Sequence, residues 1–105
     1  MTGEGIRAGD VVESHCGRDA GRLMLVLSEQ DGMLALGDGR MRRVEQPKRK
    51  KPKHVRWVAR PEPGNCLYET AEKIRSGGAV TNSELRRAMN AFQETQLRRD
   101  ADVKG

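Results

Sequence analysis

The stretch GDVVESHCGRDAGRLMLVLS, residues 9–28, decides the fold. It predicts one strand over residues 11–15, a tight turn over residues 17–21 and a second strand over residues 22–28. Gly17 and Gly21 bound the turn, and glycine adopts positive φ at little steric cost. Asp19 between them is short enough to bond to neighbouring amides and fix the turn. On these residues alone, the alternative is that the two glycines only close a hairpin and the turn has no binding role.

Alternation along the first strand predicts which side chains face the core. Val12, Ser14 and Cys16 share one face. The opposite face carries Val11, Glu13 and His15, two of them polar, so we expect the first set inside. Every residue from 23 to 27 is apolar, and a strand of that kind needs cover on both faces. The pattern therefore predicts a curved sheet or barrel with a further element packed outside it.

The sequence Gly9-Asp10-Val11-Val12, followed by Gly17-x-Asp19-x-Gly21 and an apolar strand, resembles the KOW motif of ribosomal and transcription-associated RNA-binding proteins. Residues 17–22, GRDAGR, resemble the version found in archaeal and eukaryotic large-subunit ribosomal KOW proteins and their small bacterial relatives. Residues 77–89 resemble the C-terminal extension of those relatives. The resemblance implies an SH3-like barrel and a structured RNA partner, most simply ribosomal RNA of the large subunit. Ala20 departs from it, because many KOW motifs carry Lys there.

Turn signals divide the rest of the barrel. Asp31-Gly32 is a hairpin signal, and a third strand over residues 33–36 precedes a second glycine-rich turn at residues 37–39. A fourth strand is expected over residues 40–44, with Met41 and Val44 inward. A fifth strand then contains Val55 and Trp57. In a chain with so few aromatic residues, Trp57 is expected in the core, with base stacking as the alternative.

After a Pro- and Gly-rich break at residues 60–64, the apolar spacing becomes helical. Leu67, Ala71 and Ile74 predict one helix, with Asn65 as its N-cap and Gly77-Gly78 as its end. Thr81 and Glu84 form the capping box of a second helix. Its apolar stripe comprises Leu85, Ala88, Met89 and Phe92, with Val80 and Leu85 placed for a hydrophobic staple.

The predicted fold class is therefore mainly β with C-terminal α: a small five-stranded SH3-like (KOW) barrel followed by a two-helix hairpin. The barrel covers residues 9–60 and includes a basic loop at residues 48–54. Residues 61–64 form a linker, and residues 65–98 the hairpin. Residues 1–8 and 99–105 are expected to be a flexible N-terminus and a frayed tail.

The charge is concentrated in one short segment. The 105-residue chain has a net charge of +5. Residues 48–60 contain seven basic and no acidic residues, whereas residues 1–47 contain six basic and eight acidic, and residues 61–105 seven of each. Such a run either is a solvated loop or binds a polyanion, and the mutual repulsion of its cations favours a polyanion. Lys and Arg there would neutralise phosphates and release counterions.

The predicted RNA contacts form two sets of basic side chains, which Arg60 could extend. The basic segment contributes Lys48, Arg49, Lys50, Lys51, Lys53, His54 and Arg56, and the predicted turns and fourth strand contribute Arg18, Arg22, Arg40, Arg42 and Arg43.

Other classes of function find little support in the sequence. The two His and two Cys match no zinc-ligand spacing, the glycine-rich turn lacks the P-loop GK[ST] ending, and no nucleophile is paired with a base, so no metal, cofactor or catalytic residue is predicted. No apolar segment is long enough to span a membrane, and we expect a cytoplasmic, ribosome-associated protein with reduced thiols. The alternative is a protein-interaction module of the transcription or translation machinery that uses the barrel and the helical hairpin.

Overall fold

The computed structural model describes residues 5–15, 17–18, 20–64 and 66–104, with side chains described as far as Thr95. Five strands come first: β1 (Val11–Ser14), β2 (Leu23–Gln30), β3 (Met33–Gly37), β4 (Lys48–Lys50) and β5 (Val55–Ala59). A 3₁₀ segment, Pro52–His54, connects β4 to β5. Two helices follow, α1 (Cys66–Arg75) and α2 (Asn82–Lys104). The five strands and two C-terminal helices confirm the mainly β prediction.

The strands form one antiparallel sheet in the order β4-β3-β2-β1-β5. Asp31 and Gly32, with φ of 53° and 76°, make the tight hairpin between β2 and β3, as the Asp-Gly signal predicted. Within the described ranges, β4 and β5 are the two edges and do not pair with each other, so the hydrogen-bonded sheet is open rather than closed into a barrel.

Apolar side chains cover both faces of the sheet. One face encloses a cluster of strand residues joined by Ile6, and the other packs against both helices through Val11 and Leu25. A register shift between Val26 and Ser28 marks an irregularity in β2, and such irregularities bend strands. The expectation that β2 needs cover on both faces is confirmed. The enclosed cluster comprises Ile6, Val12, Met24, Val26, Leu34, Leu36 and Val55.

The helices end and begin where the sequence signals them. The N–H of Gly77, whose φ is 85°, donates to the carbonyl of Ile74, and the N–H of Gly78 donates to that of Lys73. These two bonds form a Schellman end for α1. At the start of α2, the Thr81 N–H donates to Glu84 Oε1 (2.9 Å) and the Glu84 N–H donates to Thr81 Oγ1 (3.1 Å), which confirms the capping box. The predicted N-cap Asn65 lies outside the described residues.

A loop between β3 and β4 replaces the predicted fourth strand over residues 40–44, and that prediction was wrong. Asp38 Oδ1 accepts the backbone N–H groups of Arg40 and Arg42, which fold the chain into a tight loop. The Val44 N–H donates to Asn82 Oδ1 at the start of α2 instead of to a strand. Met41, predicted inward, is therefore 69% exposed. The fourth strand is the basic run itself, which pairs Lys48 with Leu36 and Lys50 with Leu34.

Three further expectations need correction. Ile6 is buried because it packs into the enclosed cluster, so the predicted flexible N-terminus does not extend to it. Val11, expected outside, is fully buried because the helices cover that face. The helix α2 continues to Lys104 instead of ending at residue 98 before a frayed tail.

Candidate nucleic-acid interface

The basic segment, residues 48–54, is an edge strand followed by a 3₁₀ turn instead of the predicted loop. Alternation along β4 sends its side chains in opposite directions, so Arg49 is exposed and Lys50 is buried. Lys50 Nζ donates to Ser14 Oγ at 2.6 Å, beneath the sheet. Lys50 was predicted as a phosphate contact, and this prediction is wrong for the structure as folded, because its ammonium group faces the interior.

Four other cations of the basic segment remain available at the surface. Arg49, Lys51 and Lys53 are exposed and Lys48 is half-buried. Within the part of the chain that the structure describes, none of these four side chains forms an ion pair with a carboxylate. Pro52 begins the 3₁₀ turn that follows the strand. These four side chains, the basic row, therefore carry charges that pair with no described carboxylate.

The glycine-bounded turn lies next to this row. Gly17 and Gly21 have φ of 83° and 87°, and the Gly21 N–H closes the turn on the Ser14 carbonyl at 2.8 Å. The His15 N–H donates to the carbonyl of His54 at 2.9 Å, so the 3₁₀ segment contacts the start of the turn. The prediction of positive φ at both glycines is confirmed. Asp19 lies outside the described residues.

Beyond the turn, three predicted arginines line one cleft, the arginine cleft, of about 450 Å³. Arg18 and Arg22 come from the turn and Arg40 from the β3–β4 loop, although the sequence separates them widely. The face of α2 closes the third side with Met89, Asn90 and Gln93. The complete lining is Arg18, Ala20, Gly21, Arg22, Leu23, Asp38, Arg40, Met89, Asn90 and Gln93.

Internal partners hold two of these guanidinium groups in place. Arg22 Nη1 lies 3.5 Å from Asp38 Oδ2, and Arg40 Nη2 donates to Asn90 Oδ1 at 3.2 Å. Arg18 is exposed on the turn. Among the described lining residues, three cations and one carboxylate give the arginine cleft a formal charge of +2. Because a guanidinium carries five N–H donors, each held arginine keeps donors that can bind an anion without breaking its internal contact.

Other predicted contacts are drawn into the protein's own ion pairs. Arg56 on β5 contacts Glu13 on β1, with Nη2 at 2.8 Å and Nε at 3.0 Å from Oε1. Arg43 Nε lies 3.7 Å from Glu45 Oε2, and Arg42 is half-buried in the loop. None of these three residues lines the arginine cleft, and Arg56 in particular is paired with a carboxylate.

A buried carboxylate, missed in the sequence, organises the opposite end of β1. Asp10 is fully buried and accepts hydrogen bonds from Arg60 Nε (3.0 Å) and Nη2 (3.0 Å), from Trp57 Nε1 (3.2 Å) and from the Arg7 N–H (3.0 Å). Arg75 Nη2 on α1 lies 3.4 Å away. Burial alone would raise the pKa of Asp10. The hydrogen bonds from Arg60, Arg7 and Trp57, together with the charge of Arg60, instead keep this pKa below its ordinary 3.8. The available signal was an acidic residue directly before a strand of buried residues.

The Asp10 cluster changes two predictions. Arg60, a candidate extension of the basic segment, is held by the carboxylate and by the Gly5 carbonyl (2.7 Å). Trp57, expected in the core, is 47% exposed because its indole N–H reaches Asp10 from the edge strand β5. Its ring lies at the surface, beside Arg56, rather than within either apolar cluster.

The apolar stripe of α2 packs onto the sheet. Leu85, Ala88, Met89 and Phe92 are buried with Val11 and Leu25. A protein partner cannot bind this stripe while the fold is intact, so the predicted hairpin surface would have to be another face. Arg86 Nη1 donates to the Gly39 carbonyl at 2.9 Å, whereas Arg87 is exposed.

No protein-family model matches the chain, and no curated protein sequence matches it significantly. The KOW resemblance therefore stays a prediction from the residues.

The described residues hold no cluster of three or more His, Cys, Asp or Glu able to bind a metal ion. None of the helices, over those same residues, has the length and apolar character needed to cross a bilayer.

Proposed function

We propose that this chain is a non-catalytic RNA-binding protein of the KOW type, with an SH3-like sheet, that docks on structured RNA, most simply ribosomal RNA of the large subunit. The observation that carries the proposal is the row formed by Lys48, Arg49, Lys51 and Lys53, which no described carboxylate neutralises. The 3₁₀ segment that follows the row is tied to the strand end before the glycine-bounded turn, which carries the KOW resemblance, because the His15 N–H donates to the His54 carbonyl.

The strand geometry suits phosphate contacts. Consecutive residues of a strand rise about 3.3 Å, and side chains on one face recur every two residues. Because β4 is held to β3 along its length, its backbone is ordered before the RNA arrives. Less conformational entropy is then lost on binding than a flexible basic tail would lose. The proposed mechanism is docking on phosphates, which positions the protein without reading sequence.

A salt titration tests the proposal. Fluorescence anisotropy of a labelled ribosomal RNA fragment should give a linear log–log plot of affinity against salt, with a slope near −0.9 per phosphate neutralised. Four contacts would weaken binding on the order of 100-fold between roughly 50 and 200 mM salt. A flat response over that range would instead favour the protein-interaction alternative.

The ribosomal assignment needs a separate measurement. Cell lysate separated on a sucrose gradient should place the protein with the large subunit, and a high-salt wash should release it. Recovery of the protein only at the top of a low-salt gradient would contradict ribosome association.

A further inference from the structure

The arginine cleft differs in kind from the basic row. The row is an open line of charges, whereas the cleft is a concave site of about 450 Å³ bounded by the turn, the β3–β4 loop and α2. Concave sites of roughly 300–1,000 Å³ are the usual size for binding a small molecule or a single side group.

The lining combines three kinds of group. Arg18, Arg22 and Arg40 bring guanidinium groups, which pair with phosphate and stack on planar rings. Asn90 and Gln93 are exposed on consecutive turns of α2 and bring amides that both donate and accept. Leu23 and Met89 contribute apolar surface. Phosphate, a hydrogen-bonding edge and an apolar ring face are the three chemical features of a nucleotide.

The formal charge of the arginine cleft indicates which kind of anion it would bind. Asp38 lines the cleft, and its Oδ1 is occupied by the N–H groups of Arg40 and Arg42 while Oδ2 faces Arg22. The carboxylate is thus part of the framework, and the net +2 suits one phosphodiester with its flanking backbone better than a polyanionic cluster. The amides lie on the helix side of the same cleft, where a base attached to that phosphate would lie.

We propose that the arginine cleft binds a single unpaired nucleotide turned out of an RNA helix, with its phosphate against the arginines and its base against Asn90 and Gln93. The inference rests on the proposed RNA docking and adds a preference for RNA with a bulge. Unpaired, splayed-out bases are the usual target of protein recognition in RNA. The basic row then holds the adjoining helix by its phosphates.

Two RNA hairpins of one sequence, with and without a single-nucleotide bulge, test the inference. The parent protein should bind the bulged hairpin about 5- to 100-fold more tightly, the range expected when amide side chains hydrogen-bond the edge of one base. The double variant Asn90→Ala/Gln93→Ala should lose most of this preference but keep the salt slope, because it removes no charge. The single variant Gln93→Ala, which leaves Asn90 to hold Arg40, should lose part of the preference and so separates loss of a base contact from release of Arg40. Alanine at these exposed helical positions favours the helix, and a thermal melt checks that the fold is retained.

The matched control is Gln30→Ala/Gln46→Ala, which removes two exposed amides distant from the cleft lining and should leave the preference unchanged. Equal affinity for both hairpins, with a steep salt slope retained, would overturn the nucleotide site and leave the docking proposal standing. Loss of salt-dependent binding to both hairpins would overturn both proposals. Tight binding of a free mononucleotide, displaced by neither hairpin, would reassign the cleft to a small-molecule ligand.

Discussion

Replacing Asp10 with Asn should destabilise the protein by about 2–3 kcal/mol at neutral pH. Removing one member of a buried ion pair generally costs about 3–5 kcal/mol. Here the cost is smaller, because the Arg60 and Arg75 side chains are 43% and 27% exposed and can regain water. The amide nitrogen of Asn would still face at least one of the donors that now bind Asp10. For a domain of this size the melting temperature should fall by about 10–20 °C.

The same variant has a pH signature. Because the folded-state pKa of Asp10 is below its ordinary 3.8, the stability it contributes is fully present above the unfolded pKa and disappears as pH falls through the folded pKa. Urea unfolding followed by circular dichroism should therefore give a constant difference between parent and variant from pH 7 to about 5, and a shrinking difference below about pH 4.

Glu13→Gln is the control, since it breaks the more exposed Arg56 pair and should cost less than about 1 kcal/mol. An Asp10→Asn variant that unfolds like the parent at pH 7, or a difference that stays constant to pH 2, would refute the reasoning.

Two further predictions concern the backbone. Gly39→Ala should lower the melting temperature more than Gly21→Ala, although the two glycines have similar φ of 80° and 87°. A Cβ at Gly39 would contact the Asn82 carbonyl and approach Arg86 N at 3.0 Å, whereas Gly21 has open space. Equal losses would show that α2 does not approach Gly39 so closely. Thr81→Ala should cost about 1 kcal/mol by removing the capping-box hydroxyl, and an unchanged urea midpoint would contradict that role.

Local signals predicted the elements whose geometry is set by neighbouring residues. Asp31-Gly32 requires positive φ, Thr81 and Glu84 satisfy each other's N–H groups, and Gly77 ends α1, so each could be recognised within a few residues. Tertiary contacts decided the rest. Residues 40–44 have strand-like composition, but the Asn82 side chain takes the Val44 N–H, a contact 38 residues distant in sequence.

The candidate site shows the same division. Charge counting located the basic segment but treated its cations alike, because only strand pairing reveals that Lys50 faces inward and Arg49 outward. Arg18, Arg22 and Arg40 were predicted individually, whereas their common cleft depends on how α2 packs. Trp57 was expected in the core because the chain has so few aromatic residues. Its indole N–H instead bonds to the buried carboxylate of Asp10, which leaves the ring 47% exposed.

We infer that the basic row supplies most of the phosphate affinity, whereas the helical hairpin stabilises the sheet. The most direct measurement is the salt slope of RNA binding for two charge-matched variants. One replaces Lys48, Arg49, Lys51 and Lys53 with Ala, and Lys50 is retained because its buried ammonium supports the fold. The other replaces Arg86, Arg87, Arg98 and Arg99 with Ala. Each lost contact should flatten the slope by roughly one unit. We expect the first variant to lose about three to four units of salt slope and the second at most about one. An equal loss in both variants would contradict the proposed role of the basic row and make the hairpin an equal part of the RNA interface.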